Sequence, residues 1–340
     1  MRRSVRAIWF CAVALAAMFS RAAGGQSLPA LSVTGEITEG DRDAKFDYAS
    51  IDSTLRRLYV ARGTGVMSVD LTTGTVTPVL VPGVHTHAVT VLPGGRLLST
   101  NGDSDTATLA DGADGHVIAQ IPTVPKPDSA TYDPVTGLVF VNGEAGDMTL
   151  IDARTGTSTG RMSLKGELEF AVADGRGKLY VNMKDTAEIA VIDTAARQEV
   201  ARYKLPGCQD PSGLALDPAS RVLVSACDNE KAVALDAADG SVLASVDIDR
   251  KPDAVIFDAD RKLFWIPCAR DATLVALSEA DRAVRVLGKI KTAIGAHTGA
   301  LDPVTGKLYL PAADFGIRLV PPGFEQQKGT FRILVLGAAS

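Results

Sequence analysis

The chain has 340 residues, 46% hydrophobic, 22% charged and 5% aromatic, with a formal net charge of −5. That composition excludes a disordered or fibrous class and supplies enough apolar sequence for a sizeable core. An acidic balance with no long block of like charges argues against nucleic acid and anionic membranes as partners.

The N-terminus reads as a targeting signal. Arg2, Arg3 and Arg6 form a positive region, Ala7 to Phe19 is an apolar run too short to span a bilayer comfortably, and small residues follow at Ala22, Ala23, Gly24 and Gly25. The expectation is a signal peptide over residues 1–25 and one exported domain over 26–340, placed in the periplasm or secreted. No later stretch reaches transmembrane length, so no membrane-spanning segment is expected.

From Lys45 onward the chain repeats a unit best seen between Lys126 and Asp152. Pro127-Asp128 opens it, Ser129 to Tyr132 forms a first strand, and Asp133-Pro134-Val135-Thr136-Gly137 turns the chain. Proline fixes φ and glycine accepts positive φ, so this is a hairpin turn. Leu138-Val139-Phe140-Val141 and Met148-Thr149-Leu150-Ile151 follow as short runs rich in β-branched and aromatic residues. The second-strand signature recurs at Leu58-Tyr59-Val60, Leu97-Leu98-Ser99, Val139-Phe140-Val141, Leu179-Tyr180-Val181, Val222-Leu223-Val224, Leu263-Phe264-Trp265 and Leu308-Tyr309-Leu310. Its spacing of about 39 to 45 residues is that of four-stranded propeller blades. Seven copies predict an all-β, seven-bladed β-propeller forming a single domain.

The two ends complement each other. Leu31 to Ile37 precedes the first full repeat without a partner, and Phe331 to Leu336 reads as a third strand lacking a fourth. The N-terminal strand is therefore expected to complete the last blade and close the ring. Between the second and third strands of that blade lies an insertion from about Ala313 to Thr330, too long for a simple connection and expected to act as a lid over the channel mouth.

The repeat resembles the YVTN-type β-propellers, and the chain is similar to the periplasmic YncE-like members of that family. Phe46-Asp47-Tyr48, Gly83-Val84-His85, Phe170 to Gly175, Pro211 to Ala215, Leu301-Asp302-Pro303, Leu308 to Pro311 and the ending from Gly323 carry the resemblance. It implies fold and export but no agreed reaction, and the DNA-binding role attached to one member type sits poorly with the acidic balance here.

In a propeller, the first strand of each blade lines the central channel. Counting back five residues from each hairpin-turn aspartate, or its equivalent, gives Asp47, His87, Asp128, Glu169, Ser212, Asp253 and His297, one per blade. Because the ring closes, His297, Asp47 and His87 fall on consecutive blades. These three are the candidate metal ligands, within a channel-mouth set of Asp47, His87, Asp128, Glu169, Asp253 and His297 that would take a divalent metal or a small polar ligand. Aspartate after proline also caps turn N–H groups, which accounts for Asp128 and Asp253 without a ligand. His85 is expected in a loop, pointing away from His87. Asn142 and Asn182 follow second strands on the same face and read as turn residues, with a role as alternative metal ligands beside that. Arg62 offers an anion contact or a solvated rim charge.

Cys208 precedes the first strand of blade five and Cys227 ends the second, so folding the hairpin about Asp217-Pro218-Ala219 brings them close. Export makes a disulfide possible there, and the resemblance supports that pairing. Cys268 is then free and buried. No haem-attachment motif, phosphate loop or nucleophile elbow is present. The expected function is a binding or scaffolding module, expected as a monomer, whose partner is a small polar ligand or another protein. The alternative is a metal-dependent lactonase-like hydrolase or an oxidoreductase accessory protein.

Overall fold

The structure, a computed structural model, describes residues 26–38, 45–319 and 322–338. The segment read as a signal, residues 1–25, lies outside the described residues. Seven four-stranded antiparallel sheets form the blades of a propeller, as the repeat predicts. Blade three is representative: Pro127–Asp133, Leu138–Gly143, Asp147–Asp152 and Ser158–Ser163 pair in chain order.

Burial explains the sequence pattern of each strand. The second strand, Leu138–Gly143, is buried on both faces because each side meets a neighbouring blade, so it is apolar throughout rather than alternating. The outermost strand, Ser158–Ser163, is half in solvent and carries polar residues. Seven separate apolar clusters line the seams, one between each pair of adjacent blades. The seam of blades five and six, for example, packs Val224, Ala226 and Ala234 against Phe264, Ile266 and Val275.

Ring closure occurs as the two half-repeats require. The last blade orders Ala300–Leu301, Leu308–Ala312, Arg332–Ala338 and then Leu31–Thr38, the N-terminal strand. A second device closes the same seam at the turns between first and second strands. Arg56, in the first hairpin turn of blade one, makes two parallel bonds to Asp302 of blade seven, at 2.6 and 2.7 Å. Arg56 adopts the left-handed conformation (φ 54°), the position that glycine takes in the corresponding turns at Gly137 and Gly306. Arg221 and Lys262 hold it in blades five and six, and Lys262 likewise reaches back to the turn aspartate of the preceding blade, Asp217, at 3.0 Å.

The insertion in blade seven is a two-stranded hairpin, Phe315–Leu319 against Pro322–Gln326. Its base is tied by Gln327 N–H to Asp314 O at 2.7 Å and by Arg332 to Asp314 at 2.9 Å. Cys208 and Cys227 form a disulfide across the first hairpin of blade five, with Pro211 paired to Cys227. Cys268 is free and buried at a second-strand end, and burial pushes its thiol up to about 12.

Two outcomes follow. The Arg56 guanidinium holds the Asp302 carboxyl down at about 2, below its usual range. A depressed carboxyl stabilises the fold above its unfolded pKa and loses that contribution as pH falls through the folded one. Arg56→Ala should therefore cost about 1–3 kcal/mol at neutral pH, for a charge-assisted bond lost from a buried carboxylate. The gap to wild type should narrow between about pH 4 and pH 2, as followed by chemical denaturation across that range. Replacing Cys208 and Cys227 together by Ser should lower stability by about 3 kcal/mol through loop entropy, read from guanidinium midpoints. An unchanged midpoint would show that the crosslink contributes nothing.

Candidate functional site

The first strands present their channel residues through a recurring irregularity. In blades one to five the pairing of first and second strands slips at the same place, between Phe46 and Ala49, Thr86 and Val89, Pro127 and Ala130, Leu168 and Ala171, and Pro211 and Leu214. A bulge there re-aims the side chains it contains. Those residues are Asp47, His87, Asp128, Glu169 and Ser212, the set obtained by counting along the repeat. In blades six and seven the paired strand starts later, at Ile256 and Ala300, and Asp253 and His297 sit in irregular segments before it.

The structure brings most of this set together in two groups that share one residue. Ligand-capable atoms of Asp47, His87 and Asp128 lie within 4.8 Å of one another, and so do those of Asp47, Asp253 and His297. His87 Nδ1 stands 3.0 Å from Asp47 Oδ2 and 3.4 Å from Asp128 Oδ1. His297 Nδ1–H donates to Gly295 O at 2.7 Å, while its Nε2 faces Asp253 Oδ2 at 3.9 Å. Phe46 stacks on the His297 ring with centroids 4.8 Å apart. Glu169 falls in neither group and instead pairs with Lys184 at 3.2 Å. Ser212 is a brace, donating to Pro252 O of the next blade at 3.1 Å.

Burial and mutual repulsion dominate the electrostatics. Desolvation pushes the carboxyls of Asp47 and Asp253 up to about 7, with Asp128 adding repulsion to both. Glu169 rises to about 7 for the same reasons, against the pull of Lys184. Asp128 is raised by burial as well. For His87, burial favours the neutral ring, but the bond to Asp47 and the charge of Asp128 outweigh it and raise its pKa.

Several residues of the site were not singled out from the sequence. Tyr48 of blade one and Phe170 of blade four meet across the channel with ring centroids 4.9 Å apart. The Tyr48 hydroxyl is held well above its usual range by burial and by Asp253, Asp128, Asp47 and Glu169. Each aromatic immediately follows a channel residue, which is the signal that marks it. Beside the ring lies a pocket of about 440 Å³ lined by Asp128, Glu144, Glu167, Leu168, Glu169 and Lys184. Glu144 and Lys184 come from loops between second and third strands, which meet the channel mouth on this face.

Three expectations need correction. His85 is in a loop, as expected, but its left-handed backbone (φ 52°) turns the ring back to 4.4 Å from that of His87. The alternation that would separate the two holds only within a strand, and the strand begins at Thr86. Asn142 and Asn182 are seam braces: Asn142 Nδ2 donates to Ser129 Oγ and Glu169 O, and Asn182 Nδ2 to Ser212 O and Gly213 O. Arg62 is buried rather than a rim charge, donating to Lys45 O and lying 3.5 Å over the Phe331 ring.

No family model and no curated protein matches the chain by sequence. Solved structures match its shape. A chain in the crystal structure of a mitotic checkpoint complex superposes with a TM-score of 0.73 at 13% identity, covering 99% of each chain. A chain of the Kuenenia stuttgartiensis hydrazine synthase gives 0.68 at 13% identity, covering 86% of this chain and 98% of that one. At such identities the likeness shows the seven-bladed fold alone.

The loop that carries His297 is set by Gly295. It has a left-handed backbone (φ 86°), and a Cβ there would lie 2.6 Å from Ala313 O and against the Phe315 ring at the base of the inserted hairpin. Gly295→Ala should cost about 1–3 kcal/mol in strain and displacement. A denaturation midpoint equal to wild type would show that this loop yields freely.

Proposed function

We propose that this protein is an exported β-propeller of the YVTN, YncE-like kind that binds a divalent cation or a small polar ligand at its channel mouth. The observation that carries the reading is the convergence of two imidazoles and three carboxylates, His87, His297, Asp47, Asp128 and Asp253, into two groups sharing Asp47. Desolvated carboxylates that repel one another are stabilised by a cation, and Asp, Glu and His are the side chains that hold divalent ions. The adjoining pocket has carboxylates from Asp128, Glu144, Glu167 and Glu169 against the ammonium of Lys184, so it suits a ligand bearing a cationic group.

Export through a signal peptide over residues 1–25, leaving a mature domain from residue 26 in the periplasm or outside the cell, rests on the N-terminal pattern. The Cys208–Cys227 disulfide supports it, because such bonds persist in oxidising compartments. No helix among the described residues is long and apolar enough to cross a membrane. The protein acts as a monomeric binding or scaffolding module. A chain of similar shape within a mitotic checkpoint complex supports a protein as a second kind of partner.

Titration calorimetry of the full mature chain against divalent metals, at pH 8 where the ring carboxyls are ionised, tests the reading. Wild type should bind in the micromolar range or tighter. The His87→Ala, His297→Ala double variant should lose at least about tenfold in affinity while keeping its unfolding midpoint. Equal binding by both proteins would remove the mouth as the site.

A further inference from the structure

Resting on the mouth being a cation site, we infer that it holds one zinc-class ion on His297, Asp253 and Asp47, with His87 a positioning residue on Asp47 rather than a ligand. The sequence places both histidines on one ion. The geometry separates them by what each ring nitrogen already does.

A main-chain carbonyl only accepts, so the 2.7 Å contact to Gly295 O fixes the proton of His297 on Nδ1. Nε2 therefore keeps its lone pair and faces Asp253. This is how metal-bound histidines are oriented: the second nitrogen donates to a carbonyl or carboxylate and sets the tautomer. Ligand atoms around a tetrahedral ion at about 2.1 Å stand about 3.4 Å apart. The 3.9 Å between Nε2 and Asp253 Oδ2 is therefore a few tenths of an ångström from closure. Both ligand segments are braced, His297 by the stacked Phe46 ring and Asp47 by Thr298 Oγ1–H donating to its carbonyl at 2.8 Å. His297 and Asp253 keep 19% and 31% side-chain exposure, which leaves a face open to an incoming ion and a further ligand.

His87 is arranged in the opposite sense. Its Nδ1 meets two carboxylates, which accept when ionised, so the nitrogen facing the carboxylate group carries the proton and the lone pair lies on Nε2, on the other side of the ring. Its Nε2 side lies against Gly102, where even a Cβ would stand 2.7 Å away. The bond to Asp47 Oδ2 instead leaves the other carboxyl oxygen of Asp47 for the ion. One imidazole with two carboxylates is a mixed nitrogen and oxygen set, suited to zinc, manganese or iron(II) rather than to calcium, which takes oxygen throughout.

The experiment measures zinc stoichiometry and affinity, by metal analysis after dialysis and by calorimetry, on the full mature chain and three variants. Unfolding midpoints are recorded for each. Wild type should bind one zinc per chain. His297→Ala should lose binding at least about 100-fold, as expected for a lost ligand. His87→Ala should keep the one-to-one ratio but weaken about 10–100-fold, as outer partners of a metal site do. His87→Asn, whose amide N–H stands where Nδ1–H stood, should recover most of that loss, which a merely structural filler would not do. Two zincs per chain, loss of stoichiometry in His87→Ala, or an Asn variant no better than Ala overturns the assignment. Calcium binding in preference to zinc overturns the ion class. Wild type binding no divalent ion removes the cation reading itself, a different result from any of these.

Discussion

Blades one, two, three, five and seven are each tied to the next by a hydroxyl on or just before the first strand that donates to a main-chain carbonyl beside it, and in blade four the Asn182 amide serves the same purpose. Thr90 reaches Ala130 O at 2.7 Å, Thr131 reaches Ala171 O at 2.9 Å, Ser129 reaches Glu169 O at 3.0 Å and Ser212 reaches Pro252 O at 3.1 Å. Thr298 completes the ring by reaching Asp47 O at 2.8 Å across the closing seam. The apolar seams supply most of the stabilisation, but they are non-directional and would tolerate sliding. These bonds would not, because a buried donor that loses its acceptor costs about 1–3 kcal/mol. They also grip the backbone of the channel residues themselves. Asp47, Asp128 and Glu169 each have their carbonyl held by a hydroxyl from a neighbouring strand, with Thr100 serving Asp128.

A rigid ring has an electrostatic consequence. Radial geometry brings one side chain per blade to the same narrow place, so a chain of modest net charge acquires a locally dense acidic mouth. Tyr48 and Phe170 meet beside these carboxylates, an apolar contact that adds to their desolvation. Lys184 neutralises the Glu169 side, and His87 sits between Asp47 and Asp128. Asp253 has no strong cationic partner among these, only the longer approach of His297 Nε2.

The irregular blades are the ones that matter for that imbalance. Blades six and seven delay their first strands, so Asp253 follows a single bridge of Pro252 to Cys268 and His297 precedes the first strand of its blade. The inserted hairpin of blade seven then buttresses Gly295, the residue whose carbonyl orients His297. Strain is placed at the closing seam as well. Arg56 takes a left-handed conformation where glycine would relax, and the two bonds to Asp302 across the closing seam offset that cost. The late first strand and the inserted hairpin of blade seven fall beside the seam where the ring is joined, whereas the left-handed basic residue recurs at Arg221 and Lys262.

The sequence by itself determined the number of blades, the closure by Leu31–Thr38, the Cys208–Cys227 pairing and the identity of the channel residues. The blade number, the closure and the channel positions follow from a period in the chain, since a repeat that cannot bury its own faces has few ways to stack, while the cysteine pairing rests on the hairpin, on export and on the family resemblance. It did not determine which of those residues touch. The bulge that aims Asp47 and His87, the left-handed turn that brings His85 onto His87, and the seam role of Asn142 and Asn182 depend on backbone geometry rather than on residue type. The pairing of Tyr48 with Phe170 joins blades one and four across the channel, and no local pattern links positions so far apart. Nor could periodicity tell the two histidines apart, because what separates them is which ring nitrogen faces the carboxylates, Nε2 for His297, whose Nδ1 meets a main-chain carbonyl, and Nδ1 for His87. Those acceptors are fixed only when the ring closes.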